Sequence, residues 1–142
     1  MPEYSLNHRN FLAIAREVLN AGQPISFRAV GSSMRPFILD GDLLEIVSCK
    51  VGEIRRGDVL IFEDHPNHLL VHRVIKMRKD RCLLMKGDAA RYPDGWFQSG
   101  QVIGRVRSVI GSNDRHRWSW HSLRWIALGY SLAYAWLRRV LI

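Results

Sequence analysis

The stretch VGSSMRPFILDGD, which runs from Val30 to Asp42, is a polar turn set between two apolar segments. The segment before it alternates apolar and polar residues, as a half-buried strand does, and its apolar members are Ile25, Phe27 and Ala29. The segment after it, Leu43–Val47, is a second apolar run. The stretch ends in Gly41-Asp42, a pair that favours turns because Gly tolerates positive φ and Asp caps its own backbone. This order predicts strand, turn and strand.

The same pattern continues along the middle of the chain. Gly-Asp or Asp-Gly pairs recur at three further places, and apolar segments lie between them. The segments predicted as strands are Val59–Phe62, Leu69–Met77, Arg81–Lys86 and Val102–Ile110. Short strands at roughly ten-residue spacing, without helices between them, are typical of a β-barrel or sandwich. The sequence therefore predicts a mostly β core.

A helix is predicted on each side of this core. Apolar residues recur at helical spacing from Leu6 to Leu19, and a stop follows at Asn20-Ala21-Gly22. The tail from Trp118 to Ile142 holds four of the five tryptophans. The chain is thus divided into an N-terminal amphipathic helix, a β domain and a Trp/Arg-rich C-terminal helix, at residues 1–24, 25–112 and 113–142.

The Trp-rich tail has two interpretations. Its uncharged run, Trp125–Leu137, is shorter than the about 20 residues that a membrane span needs. Trp and Tyr flanked by Arg suit an interface, so residues 118–142 are expected to lie on an anionic membrane surface. The alternative is a helix packed on the β core or on a partner. Near the N-terminus, Phe11–Ala15 is too short for a secretory signal, so the expected location is cytoplasmic with peripheral membrane attachment.

The net charge of +8 raises the question of a nucleic-acid partner. The basic residues are spread along the chain, without zinc-finger spacing or a helix-turn-helix pattern, so such a partner is not predicted. Cys49 and Cys82 lie in separate apolar segments and form no CxxC pair. We therefore expect no metal site and no cofactor.

Two hydroxyls, one imidazole and two carboxylates are the candidates for chemistry. Ser32 and Ser33 lie in the Gly-flanked turn, and a serine becomes a nucleophile only when a base takes its proton. His72 interrupts an apolar strand, and imidazole suits general-base work near neutral pH. Asp88 and Asp94 could each orient that imidazole, and each also suits turn capping.

Six pieces of sequence bring these candidates into one ordered pattern: Ser33-Met34-x-Pro36, Gly41-Asp42, Gly57-Asp58-Val59, His72-Arg73-Val74, Lys86-Gly87-Asp88 and Asp94. The pattern resembles the signal peptidase I superfamily of serine proteases, which includes the LexA-type self-cleaving proteins. It extends over more than half of the chain. Bacterial members carry a lysine as the base, whereas the histidine here is similar to the archaeal and endoplasmic-reticulum type.

This resemblance implies a signal-peptidase/LexA-like β fold and a peptide or protein substrate. It implies that Ser33 is the nucleophile and that His72 is the general base and later the general acid. Asp94 or Asp88 would support the imidazole, and Asp94 is slightly favoured because Asp88 follows a glycine that shapes a turn.

Two features depart from the family pattern. The short N-terminal helix stands where typical members carry a membrane anchor. Many members also have a hydroxyl two residues before the nucleophile, where this chain has Gly31, and Ser32 is one position away from it. Gly31 and Ser32 are therefore expected to shape the turn around the oxyanion. The alternative function is a non-catalytic module that binds peptides or assists maturation on the same fold.

Overall fold

Eight β-strands and two α-helices make up the part of the chain that the computed structural model describes, residues 8–111 and 117–140. The helices are α1 (His8–Asn20) and α2 (Trp120–Val140). The strands are β1 (Ile25–Arg28), β2 (Leu43–Val47), β3 (Val59–His65), β4 (His68–Met77), β5 (Leu83–Lys86), β6 (Gly95–Phe97), β7 (Val102–Ile110) and β8 (Arg117–Ser119). The prediction of a mostly β fold with a helix on each side is confirmed.

All of these strands belong to one antiparallel sheet. Its order is β1-β2-β7-β3-β4-β5-β6, and β8 pairs with the end of β7. Strands β3 to β6 follow one another across the sheet, whereas β7 returns to lie between β2 and β3. Strand β7, from the second half of the chain, thereby pairs with β2 and β3 from the first half.

Three segments differ from the predicted pattern. The strand expected over Arg81–Lys86 begins only at Leu83, because Arg81 adopts a left-handed φ of 65° in the preceding turn. The sequence does not predict β6 or β8, since periodicity cannot be recognised over three residues. The tail therefore starts with a strand, and its helix begins at Trp120. Residues 6–7 of the predicted N-terminal helix and residues 112–116 and 141–142 of the tail lie outside the described ranges.

Strand β3 carries side chains into two hydrophobic clusters. Its first four residues, Val-Leu-Ile-Phe, have no polar alternation, and all four are buried. Val59 and Ile61 join the first cluster, which includes residues of both helices, β2 and β7. Leu60 and Phe62 join the second cluster, with β4 and β5. Because successive strand residues point to opposite faces, both faces of β3 are covered.

Helix α2 packs on the rest of the fold through Ala127, Leu128, Ser131 and Ala135. Ala127 is fully buried in the first cluster. Arg124 lies against Gly57, and its Nη1 is 3.6 Å from the Asp58 carboxylate. Over the described residues, neither helix has the length and apolar character that a membrane span requires.

Candidate active site

Ser33 lies in a turn that is anchored in the core by the residues after it. Met34 and Ile38 are buried members of the first cluster. The amides of Phe37 and Ile38 both donate to the Met34 carbonyl, at 3.1 and 3.0 Å. Ser33 itself is exposed. The turn therefore presents the Ser33 hydroxyl at the surface from a fixed backbone.

Gly31 and Ser32 form the approach to Ser33. Gly31 has a φ of 93°, a conformation that favours glycine, and its amide donates to the Asp40 carboxylate at 2.8 Å. Ser32 is exposed, and its carbonyl accepts the Arg35 amide at 3.2 Å. The Gly31 amide is thus engaged within the turn, and an oxyanion would need a donor from elsewhere.

His72 is a buried residue of β4 that meets the Ser33 turn. Its Nε2 lies 3.0 Å from Ser33 Oγ, and its Nδ1 lies 2.6 Å from Asp94 Oδ2. Because an ionised carboxylate only accepts hydrogen bonds, Nδ1–H donates to Asp94, and Nε2 of the neutral ring accepts from the Ser33 hydroxyl. The three side chains form one continuous hydrogen-bonded series. Such a series can take a proton from serine and stabilise the resulting imidazolium.

The loop between β5 and β6 brings Asp94 to His72. Strand β5 ends at Lys86, which pairs with Arg73, so the loop starts beside His72 on the neighbouring strand. Strand β6 begins directly after Asp94, whose amide donates to the Met85 carbonyl at 2.8 Å. The pairing of these two short strands therefore fixes the position of the carboxylate.

Asp88, the other aspartate of this loop, is paired with a different residue. Arg73 donates from Nε and Nη2 to its two oxygens at 2.8 and 2.6 Å, and from Nη1 to the Gly57 carbonyl at 2.7 Å. Both charged side chains are completely buried. His72 and Arg73 are adjacent on β4 and point to opposite faces, so the two aspartates contact two different side chains.

Gly87, in the same loop, lies against Ser33 and His72. A Cβ atom at this position would lie 2.7 Å from the Ser33 carbonyl oxygen and 3.1 Å from His72 Nε2. The Ala89 amide donates to the same carbonyl at 2.9 Å. From the sequence pattern, Gly87 is expected to be an ordinary turn residue. Its φ is not left-handed, however, and it is the close packing that requires a residue without a side chain.

Lys86 is a buried cation behind the site. Its Nζ donates to the Gly87 carbonyl at 2.8 Å and to the Ser131 hydroxyl of α2 at 2.9 Å. Only 1% of the residue is exposed. Burial lowers the pKa of Lys86 below its ordinary value of 10.5, and the nearby Asp88 carboxylate opposes that effect. The sequence pattern includes Lys86 only as part of the Lys-Gly-Asp piece and does not predict its burial, because lysines are rarely fully buried.

The lowered pKa of Lys86 predicts how stability depends on pH. Between the lowered pKa and 10.5, the unfolded chain binds a proton that the folded chain has released, so the free energy of unfolding rises with pH in this window. We expect the wild type to gain stability relative to Lys86→Met as the pH rises through this window. Urea denaturation of both proteins at a series of alkaline pH values measures the difference. Parallel curves would contradict the prediction.

An apolar cleft of about 510 Å³ opens beside Ser33 and His72. Strand β1 forms one edge of the sheet, and β5 pairs with β4 only from Arg73 onward. Within residues 8–111 and 117–140, the backbone beside Leu69–His72 therefore has an edge without a neighbouring strand. The cleft between these edges is lined by side chains that include Phe11, Phe27, Ile38, Ile61, Leu69 and Val71. This shape can accept an extended peptide.

Three potential metal ligands meet at the tip of the β3–β4 hairpin, away from Ser33 in the sequence. Nδ1 of His65 and Nδ1 of His68 lie 3.0 and 2.5 Å from the Asp64 carboxylate. The two imidazole rings are stacked, with centroids 4.4 Å apart. Ligand nitrogens bind metals in the ring plane, and the planes of stacked rings do not converge on one ion. The three residues form a hydrogen-bonded cluster.

A family model described as Peptidase S24-like matches residues 1–107, which is more than half of the chain. The chain belongs to the Peptidase S24-like family. This S24-like chain is also 31% identical over 94 residues to proteins named "Signal peptidase complex catalytic subunit SEC11C" from Homo sapiens, Mus musculus and Canis lupus familiaris. The matched part covers 57% of this chain and 49% of each relative. The resemblance to the signal peptidase superfamily is thereby confirmed, and the chain spans about half the length of the curated relatives it matches.

Proposed function

We propose that this S24-like chain is a serine endopeptidase of signal-peptidase type. The observation that carries the proposal is the hydrogen-bonded series from Ser33 through His72 to Asp94, at the wall of an apolar cleft. The similarity to relatives named as catalytic subunits of a signal peptidase complex supports it.

In the first step, Ser33 Oγ attacks the carbonyl carbon of the cleaved peptide bond while its proton moves to His72 Nε2. The carbonyl oxygen becomes an oxyanion. Because the Gly31 amide donates to Asp40, the Ser33 amide is the backbone donor we assign to this oxyanion. The Asp94 carboxylate stabilises the imidazolium by accepting from Nδ1–H.

In the second step, the imidazolium returns its proton to the leaving amine as the C–N bond breaks, and an ester to Ser33 remains. A water molecule then attacks this ester while His72 accepts one of its protons. Collapse of the second tetrahedral intermediate returns the proton to Ser33 Oγ and releases the carboxylic acid product. His72 therefore serves as base and acid in turn.

The proposed substrate is an extended segment of a peptide or protein precursor. The free edges beside the cleft would bond its main chain, and the apolar lining would accept its side chains. From the resemblance to signal peptidases, we also expect the substrate to have a small residue directly before the cleaved bond.

A fluorophosphonate probe tests the proposed serine chemistry. We expect mass spectrometry to find the probe on Ser33 of the wild type, and labelling to be lost in His72→Ala because the hydroxyl then has no base. Ser32→Ala is the matched control and should label normally. A folded wild type that stays unlabelled and still binds peptides would instead favour the non-catalytic binding or maturation module.

A further inference from the structure

Helix α2 exposes most of its larger apolar side chains to solvent. Among residues 124–140, those that it buries against the rest of the protein are Ala127, Leu128, Ser131 and Ala135. Six exposed side chains form what we call the outward face: Trp125, Ile126, Leu132, Trp136, Leu137 and Val140. Trp125 and Trp136 are 64% and 62% exposed. A soluble surface helix has the opposite arrangement, with its apolar stripe toward the core.

The outward face is one continuous stripe. At 3.6 residues per turn, Leu132 and Trp136 each project within about 20° of Trp125, on either side of it. The two indole rings start from positions roughly 16 Å apart along the helix axis. Ile126 and Leu137 widen the stripe on one side. Exposed apolar surface of this extent marks an interaction site.

The charges on α2 favour an anionic partner. The helix contains Arg124, Arg138 and Arg139 and has neither Asp nor Glu. Arg124 is paired with Asp58 in the fold, whereas Arg138 is exposed and donates to the Tyr134 hydroxyl at 3.1 Å. Arg139, also exposed, lies over the Tyr92 ring. Both arginines therefore place positive charge in the last turn of α2, with Arg139 about 60° from Trp136 and Arg138 on the opposite side of the helix.

We infer that the outward face binds the surface of a bilayer that contains anionic lipid, with α2 lying in the plane of the interface. Exposed Trp rings partition to the level of the lipid headgroups, and a helix of this kind buries its apolar face at the boundary with the acyl chains. Arg139 would then lie near the lipid phosphates and carboxylates, and Arg138 would add longer-range attraction to the anionic surface. This inference does not depend on the proposed protease activity.

Sedimentation with vesicles tests this surface in the full chain. The vesicles contain about three parts phosphatidylcholine to one part phosphatidylserine, and pure phosphatidylcholine vesicles are the comparison. We expect the wild type to bind the mixed vesicles more tightly, and about 0.5 M NaCl to weaken this binding. Trp136→Ser and Trp125→Ser should each lower the partition coefficient by about tenfold.

Trp96→Ser is the matched control, because Trp96 is an exposed tryptophan on β6 rather than on α2. It should leave the partition coefficient unchanged, and thermal unfolding should show that all three variants are folded. Equal partitioning of wild type and Trp136→Ser would overturn the inference. The inference would also be overturned if the protein bound no vesicles and sedimentation detected a dimer that Trp136→Ser dissociates. A second copy of the chain would then cover the outward face.

Discussion

Ser33→Ala is expected to lower kcat for hydrolysis of a fluorescence-quenched peptide, with alanine before the cleaved bond, by about 10⁶-fold. Without Oγ no acyl-enzyme can form, and the remaining rate would come from substrate binding and the oxyanion donor. The fold should be retained, because Ser33 is exposed and the turn is held by the burial of Met34 and Ile38. Steady-state kinetics and thermal unfolding measure the two effects separately.

The double variant Ser33→Ala/His72→Ala gives a sharper form of this prediction. Residues that act as one unit are not additive, so the double variant should be about as slow as either single variant. Ser32→Ala, one position away, should keep most of the wild-type rate. If Ser33→Ala retained a tenth or more of the wild-type kcat, Ser33 could not be the nucleophile.

Asp94→Asn is expected to lower kcat by about 10⁴-fold with little change in stability. The amide of asparagine can donate to Nδ1, which leaves the proton on Nε2 and removes the acceptor for the Ser33 hydroxyl. The Asp94 side chain is 22% exposed and asparagine is uncharged, so the substitution leaves no charge buried without a partner. Kinetics with the same peptide and urea denaturation provide the measurements.

Asp88→Asn is the matched comparison, since both aspartates lie in the loop between β5 and β6. The substitution removes the carboxylate charge that pairs with the buried Arg73 guanidinium, so the free energy of unfolding should fall by about 3–5 kcal/mol. At a temperature where the variant is still folded, its kcat should stay within about tenfold of the wild type. A severe loss of kcat in Asp88→Asn together with a normal rate in Asp94→Asn would reverse the two assignments.

The sequence predicts the parts of the structure that depend on local pattern. Alternating apolar residues and Gly-Asp turns indicate most of the strands, and the Ser-Met and His-Arg pairs indicate which polar residues to examine. The alternation of side chains along a strand also carries information about the two aspartates, because adjacent His72 and Arg73 must face opposite sides. Using this alternation to assign the roles of Asp88 and Asp94 requires knowing which of them contacts His72 and which contacts Arg73.

The rest depends on contacts between distant segments. Strand β6 is too short for a periodic pattern, yet its pairing with β5 determines where Asp94 lies. Lys86 resembles a surface residue in the sequence, and its burial depends on Ser131, 45 positions later. Gly87 resembles an ordinary turn residue, and only the positions of Ser33 and His72 reveal why a side chain would not fit.

The hydrogen bond between Lys86 and Ser131 also bears on where the protein can be divided. A fragment that ends at Gly111 would retain every residue of the proposed catalytic series. It would nevertheless lose Ala127 from the first cluster and a hydroxyl partner of a buried ammonium group. The smallest fragment suited to recombinant production and crystallisation therefore extends through α2, and the helix is an integral part of the folding unit rather than a removable appendage.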